Sequence, residues 1–311
     1  MTNHPLGQAC ALLTAIVWGY ALVLFKLSGE HIPPLALNLF KSAVGLTLLV
    51  LTIIGLTIWD PASLAPVRAQ PVGGLCLLLL SGAIGIALAD TLFFRALNLI
   101  GVGLISVADC AYSPLAILFA WLLLHEQLTI FHYLGAGLVV GGVFLTTRHT
   151  LPAHRTRGQM VGGMLLAIVA IGMMAFGIVI AKPVLNELPV TWATALRLVG
   201  GWVFLGLFAL LGPAWRANWT AFRPSRAWRV VLPASILGTY VSLLLWIAGF
   251  KYTDASIAAV LNQTSIIFQS VLAVLILKEH FGRRQLAALT LALMGVVVTT
   301  FGAAISSFFV K

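Results

Sequence analysis

The chain carries 8 Asp+Glu and 18 Lys+Arg in 311 residues, and a few of these charges stand inside long apolar runs. Those few are where chemistry can be done. Asp109 is the foremost. It lies about eight residues into an apolar run at 101–123, roughly 12 Å along a helix at 1.5 Å per residue. That depth is close to a bilayer midplane. A carboxylate there costs roughly 2.5–3.5 kcal/mol on insertion scales, so such a group usually faces a cavity or a partner. Asp109 can hold a substrate ammonium or carry a coupling proton; the alternative is a carboxyl hydrogen-bonded between helices for packing. Pro114 follows five residues later. It removes a backbone hydrogen bond and clashes one turn back, near Cys110. Carbonyls freed there can face a ligand, as in the broken helices of transporters; a tolerated packing kink is the alternative.

Other polar groups share this situation. Asp90 and Arg95 lie in one run at 72–95, but five residues apart they fall on different faces of a helix. Arg95 is expected to snorkel, and Asp90 to line a cavity. Lys41 and Arg197 each stand early in a run, where interfacial anchoring or pairing is expected of them. Glu126 and Glu279 close two further runs. Acids there oppose the helix dipole, so each calls for a structural partner, or forms a gate salt bridge. Trp18, Tyr20, Tyr112, Phe176, Tyr240 and Trp246, with the amides Asn262 and Gln263, can shape a pocket. Small-molecule sites are mostly apolar with a few placed polar groups. Packing or an interfacial belt is the alternative for each aromatic.

The elements that must position these residues follow from composition. Apolar residues make up 61% of the chain and charged residues 8%. Soluble domains have roughly 25% charged residues, so a water-soluble protein is excluded. A disordered chain is excluded too, because disorder goes with few apolar residues. A helix crosses hydrocarbon in about 20 residues, which leaves room for about ten crossings. Spans are expected near 5–27, 35–57, 72–95, 101–123, 129–148, 159–181, 190–211, 229–250, 255–277 and 284–307. These runs are too long for barrel strands of about 10 alternating residues. The first run lacks a basic start and a cleavage site, and is expected to be a retained helix. Cys10, Cys76 and Cys110 lie in apolar runs without metal-ligand spacing.

The chain repeats itself. With an offset of 156, Lys26 falls on Lys182, Pro33 on Pro189 and Lys41 on Arg197. With an offset of 153, Gly85 falls on Gly238, Asp109 on Asn262, Glu126 on Glu279 and Gly142 on Gly295. The polar break from Arg148 to Arg157 separates two expected halves, residues 1–150 and 151–311, of five spans each. Five is odd, so the second half must enter the membrane from the opposite side. The expected fold is therefore an all-α membrane protein with ten transmembrane helices in two inverted-topology repeats of five, a plan used by secondary transporters. Inversion puts Lys41 and Arg197 near opposite membrane faces, which argues against one shared site. Twelve of the basic residues fall in odd-numbered loops and four in even loops and termini. The positive-inside rule then puts the odd loops in the cytoplasm and both termini outside. The net charge of +10 is thus a topology signal, and no nucleic-acid partner is implied.

These residues resemble the drug/metabolite transporter (DMT) superfamily, specifically the EamA-like permeases. The first half carries Trp18-Gly19, Pro33 and a basic Lys41, then Tyr112-Ser113-Pro114, His125-Glu126 and the glycines from Gly135 to Gly142. The second half repeats the order with Pro189, Arg197, Lys251-Tyr252-Thr253, Lys278-Glu279 and Gly295. Lys41 stands where the family has Arg, and Ile267 where a second Pro is usual. The resemblance implies ten helices around a central cavity and the movement of small metabolites, often export of amino acids or drugs.

No phosphate-binding loop, HExxH, nucleophile elbow or metal-ligand cluster occurs in the sequence. The expectation is a secondary transporter and no enzyme, with no cofactor and no metal. It moves a small metabolite, outward, by alternating access around a midplane cavity. Asp109, Asn262, Gln263, Tyr112, Trp18, Tyr20, Phe176, Tyr240, Trp246 and Asp90 are the expected substrate contacts. Asp109, Pro114, Glu126 and Glu279 are the expected coupling or gating residues. Its partners are the substrate, the lipid of a bacterial inner membrane and protons, and it is a monomer or a weak homodimer. A facilitator or importer, and a lipid-modifying membrane enzyme, remain as alternatives.

Overall fold

A computed structural model of the chain describes residues 4–124, 130–149, 157–185, 187–211, 219–223, 225–252, 261–279 and 282–309. Among them the regular structure is all helix. That follows from the apolar composition. Hydrocarbon offers no hydrogen bonds, so each spanning segment must pair its own backbone, as a helix does.

Helix α1 is His4–Gly29 and α2 is Pro34–Trp59. Pro34 opens α2 where its missing N–H would have had no partner. Asp60 ends α2; its carboxylate accepts from the Ala62 N–H at 3.1 Å and starts the turn Pro61–Leu64, followed by α3, Ala65–Arg68. Helix α4 is Val72–Gly82 and α5 is Ala89–Asp109, with a π-helical segment, Ala83–Leu88, between them. Then come α6, Tyr112–Leu124; α7, Ile130–His149; α8, Arg157–Leu185; and α9, Val190–Leu211. Helices α10, Trp228–Ser235, and α11, Ser242–Tyr252, flank a second π segment, Ile236–Val241. A short 3-10 turn, Thr220–Phe222, precedes α10, and helices α12, Ser265–Leu275, and α13, Arg283–Phe309, complete the described elements.

Among the described residues six helical stretches are long and apolar enough to cross a membrane: Pro5–Gly29, Pro34–Trp59, Val72–Asp109, Arg157–Leu185, Val190–Leu211 and Trp228–Tyr252. Four shorter apolar helices accompany them: Tyr112–Leu123, Tyr133–Gly142, Leu261–Leu277 and Leu286–Val298. The expected loop between the runs at 72–95 and 101–123 shrinks to one residue. Helix continues to Ile100, Gly101 turns the chain with φ +82° and ψ 172°, and helix resumes at once. That backbone region is open essentially to glycine alone.

The two halves interlock. Helix α1 packs on α11 and α12, α5 on α8, α2 and α4 on α9, and α7 on α13. Each pairing joins residues before 150 to residues after 156. Close approach needs small residues where helices share no hydrophobic drive. At Gly82 any side chain would collide with the Arg197 backbone, and at Gly200 with the backbone of Leu79, so α4 and α9 touch main chain to main chain. The central core gathers Phe25, Phe93, Phe94, Leu97 and Ile105, all essentially buried.

Candidate functional site

Among the described residues the backbone is irregular in the middle of four spans. The two π segments are one kind of irregularity. A π turn misaligns the ladder, and single π turns inside α-helices often mark functional sites. In the first segment the side chain of Asn38 answers the misalignment. Its Nδ2 donates to the carbonyls of Ile86 at 2.8 Å and Ala87 at 3.0 Å and to Thr91 Oγ1 at 2.9 Å. Helix breaks are the other kind. The span holding α5 and α6 stops at Asp109, turns through Cys110–Ala111 and restarts at Tyr112. Pro114 is the third residue of α6, inside the first turn where a missing N–H is cheapest. The span holding α12 breaks at Thr264, whose hydroxyl donates to the Leu261 carbonyl at 2.6 Å. No proline marks that break.

These irregular stretches surround one cavity of about 200 Å³. Gly85 and Ile86 line it from the first π segment, and Gly238 and Thr239 from the second. Trp18, Phe93, Tyr112, Met174, Trp246 and Phe250 supply apolar and aromatic wall. Asp90, Asp109, Lys41, Arg197, Asn262 and Gln263 supply the polar groups. This is the expected composition of a small-molecule site.

Each polar group can be followed to its partners. Lys41 Nζ and Asp90 Oδ2 form an ion pair at 2.6 Å, and the ammonium lies 5.6 Å from the centre of the Phe94 ring. Arg197 Nε donates to Ser81 Oγ at 2.9 Å, and that hydroxyl passes a hydrogen bond to the Gly177 carbonyl at 2.7 Å. Arg197 Nη1 is buried with no hydrogen-bond partner. The same holds for both amide atoms of Asn262 and for Gln263 Nε2. Beside Asp109, Ser106 Oγ donates to Gln269 Oε1 at 3.2 Å.

Of the two alternatives expected for Lys41 and Arg197, anchoring fails, while pairing holds for Lys41 through Asp90. Lys41 and Arg197 are only 5% and 4% exposed and line the same cavity, so neither is an interfacial anchor. Each stands seven residues into its helix, roughly 10 Å deep at 1.5 Å per residue. Because α2 packs directly on α9, their long side chains reach one central space.

Three expected pocket residues lie elsewhere. Tyr20 is 43% exposed on the outside of α1. It is two residues from the lining Trp18, and two residues turn a helix by about 200°. Phe176 stands in the same relation to the lining Met174, and packs edge-on against Phe119 with ring centroids 5.4 Å apart. Tyr240 points at α2, where its hydroxyl shares a hydrogen bond of 2.6 Å with Thr52 Oγ1. Pro114 shapes the break without lining the cavity.

Among the described residues Glu279 has no salt-bridge partner. Its two carboxylate oxygens accept from the N–H groups of Val102 at 3.0 Å and Gly103 at 2.8 Å. It thereby caps the helix that restarts after Gly101, where a negative charge meets the positive end of the helix dipole. Glu126 lies outside the described residues. Asn38, Ser81 and Gln269, all fully buried, were not singled out from the sequence. The signal for Asn38 and Gln269 was an amide alone in an apolar run; Ser81 had none, since serine is common in membrane helices.

A family model described as EamA-like transporter family matches residues 5–148 and again residues 161–301. A Bacillus subtilis (strain 168) protein named "Uncharacterized transporter YoaV" is 33% identical over 141 residues, which is 45% of this chain and 46% of that relative. The match thus spans about half the length of that curated relative. A solved structure described as "Crystal structure of protein" superposes with a TM-score of 0.67 at 18% identity, over 96% of this chain and 97% of that one. At that identity the likeness speaks for the fold alone. With a family model taking up nearly the whole chain in two copies, around a cavity ringed by broken helices, the chain belongs to the EamA-like transporter family, a family of membrane transporters.

Proposed function

We propose that the chain is a ten-span secondary transporter of the bacterial inner membrane, built from two inverted repeats of five at residues 1–150 and 151–311. It moves a small metabolite, an amino acid, a related compound or a drug, outward by alternating access. The supporting observation is the match between backbone irregularities in the two halves. The π segments at 83–88 and 236–241 stand 153 residues apart, the offset that also relates Asp109 to Asn262 and Ala111 to Thr264. All four irregular stretches meet at the cavity. Helices broken at the midplane, at a repeat interface, suit a binding site that the halves rock around.

Within this reading the apolar body of the substrate lies against Trp18, Tyr112 and Trp246. Asn262 and Gln263 supply unpaired amide groups. Asp109 holds an ammonium or carries the coupling proton. The test is flux into proteoliposomes with amino acids, nucleobases and cationic drugs, with and without a pH gradient. Saturable flux of at least one class is expected, accelerated by the gradient. Asp109→Asn is expected to abolish that acceleration. If no solute moves under any gradient, the transport reading falls; if Asp109→Asn keeps wild-type flux and pH response, its coupling role falls.

A further inference from the structure

The two halves treat their equivalent buried cations differently. Lys41 and Arg197 are mates at an offset of 156, both buried and both in the cavity wall. Lys41 has a counter-ion, Asp90, at 2.6 Å. The mate of Asp90, at the offset of 153 that applies there, is Leu243. Leu243 also lines the cavity. Among the described residues Arg197 therefore has no contact acid, since Asp90, which lies within electrostatic reach of it, is already in contact with Lys41. Its Nε is held by neutral Ser81, and its Nη1 has no partner. A buried guanidinium with an unsatisfied N–H is costly unless an acceptor completes it.

We propose that Arg197 is an oxyanion-binding residue of this cavity, and that the ligand it takes is a small organic carboxylate with an apolar body. The inference rests on the transport reading only for what happens to the ligand after it binds. Three features single out the class. Lys41 and Asp90 are in contact with each other, so among the described wall residues Arg197 is the cation left without a contact acid, and Asp109, the other acid of the wall, makes no ion pair with it. A single unpartnered guanidinium nitrogen suits the one charge of a carboxylate better than a phosphate dianion, which wants several donors. The remaining wall, with Trp18, Phe93, Tyr112 and Trp246, suits an apolar body. Ser81 holds the guanidinium by Nε, so the fork is oriented before the ligand arrives.

The test is a binding titration of the detergent-solubilised full chain, read by tryptophan fluorescence, since Trp18 and Trp246 line the cavity. The probes are phenylacetate, phenylalanine, phenethylamine, phenylacetamide and inorganic phosphate. Binding of phenylacetate, phenylalanine or both is expected, with no matching response to the amide or phosphate; a response to the amine belongs to Asp109 and is expected to be unchanged in Arg197→Gln. The first two probes separate a plain acid from an amino acid. Arg197→Gln is expected to weaken carboxylate binding roughly tenfold to hundredfold, the worth of a charge-assisted hydrogen bond. Arg197→Lys is expected to restore part of it. Leu243→Asp supplies Arg197 with the missing acid inside the chain. It is expected to abolish carboxylate binding while the melting temperature stays at or above that of wild type, which keeps the test alive if Arg197→Gln does not fold.

Equal binding of amide and carboxylate overturns the proposal. So does failure of every carboxylate to bind, or unchanged carboxylate binding in Leu243→Asp. Flux in proteoliposomes keeps the two readings apart. Arg197-dependent carboxylate binding without flux leaves this site standing and removes the transport reading. Flux with no preference for carboxylates, unchanged by Arg197→Gln, does the reverse.

Discussion

Asp90 and Lys41 show how a membrane core tolerates charge. Each alone is an ion in hydrocarbon surroundings. Together, at 2.6 Å and under the Phe94 ring, they compensate each other. Removing one partner of a buried pair strands the other and costs roughly 3–5 kcal/mol, whereas replacing both with apolar residues is often close to neutral. Asp90→Leu and Lys41→Met are therefore each expected to lower Tm strongly in detergent. The double variant is expected to recover most of the loss. If the double variant falls by the sum of the singles, the pair is not a compensating unit. The pair was hidden in the sequence because its members stand 49 positions apart and only packing of α2 on α5 brings them together.

At the scale of the element, Gly101 decides how two helices follow each other without a loop. Its φ of +82° with ψ 172° lies in a region nearly closed to other residues, at a cost of order 1–3 kcal/mol. An added Cβ would also stand 2.9 Å from Glu279 Oε1, the carboxylate that caps Val102 and Gly103. Gly101→Ala is expected to destabilise by that order and to loosen the cap. Thermal unfolding and protease sensitivity near residue 101 check it; a wild-type melting curve would show that the turn relaxes freely. Pro114 announced the break at Cys110–Ala111 in advance, through the hydrogen bond it cannot donate. The break at Thr264 and the two π segments carried no such signal. A π turn arises from how neighbouring helices and a side chain such as Asn38 satisfy displaced carbonyls, and no local propensity encodes it.

For the whole molecule, interlocking is the main consequence of the packing. Helix α1 rests on α11 and α12, and α8 on α5, so neither half keeps its own core if separated. Residues 1–150 and 151–311 produced singly are expected to be degraded or aggregated. Produced together as two chains, they are expected to co-purify and to fold. A half that gives a cooperative melt alone would contradict this reading. Glu279 fits the same picture, because it reaches from the second half to cap a helix of the first.

The sequence by itself determined that the chain is a bundle of membrane helices and that its two parts are copies. The physical reason is direct: long apolar runs can satisfy their backbone in hydrocarbon only as helices, and ordered charged, proline and glycine positions survive as a repeat. It also pointed to the residues that are expensive in such a setting, and Asp109, Asp90, Asn262 and Gln263 all stand in the cavity wall. Only the tertiary structure decided which face of each helix looks inward. Helices that are apolar all round carry no polar stripe to mark the buried side, so Trp18 and Tyr20 read alike in sequence although one lines the cavity and the other faces outward. For the same reason Lys41 and Arg197 read as interfacial anchors or as members of pairs, and not as neighbours in one cavity. It took the contact of α2 with α9 to bring both to the centre, and to leave one of them without an acid.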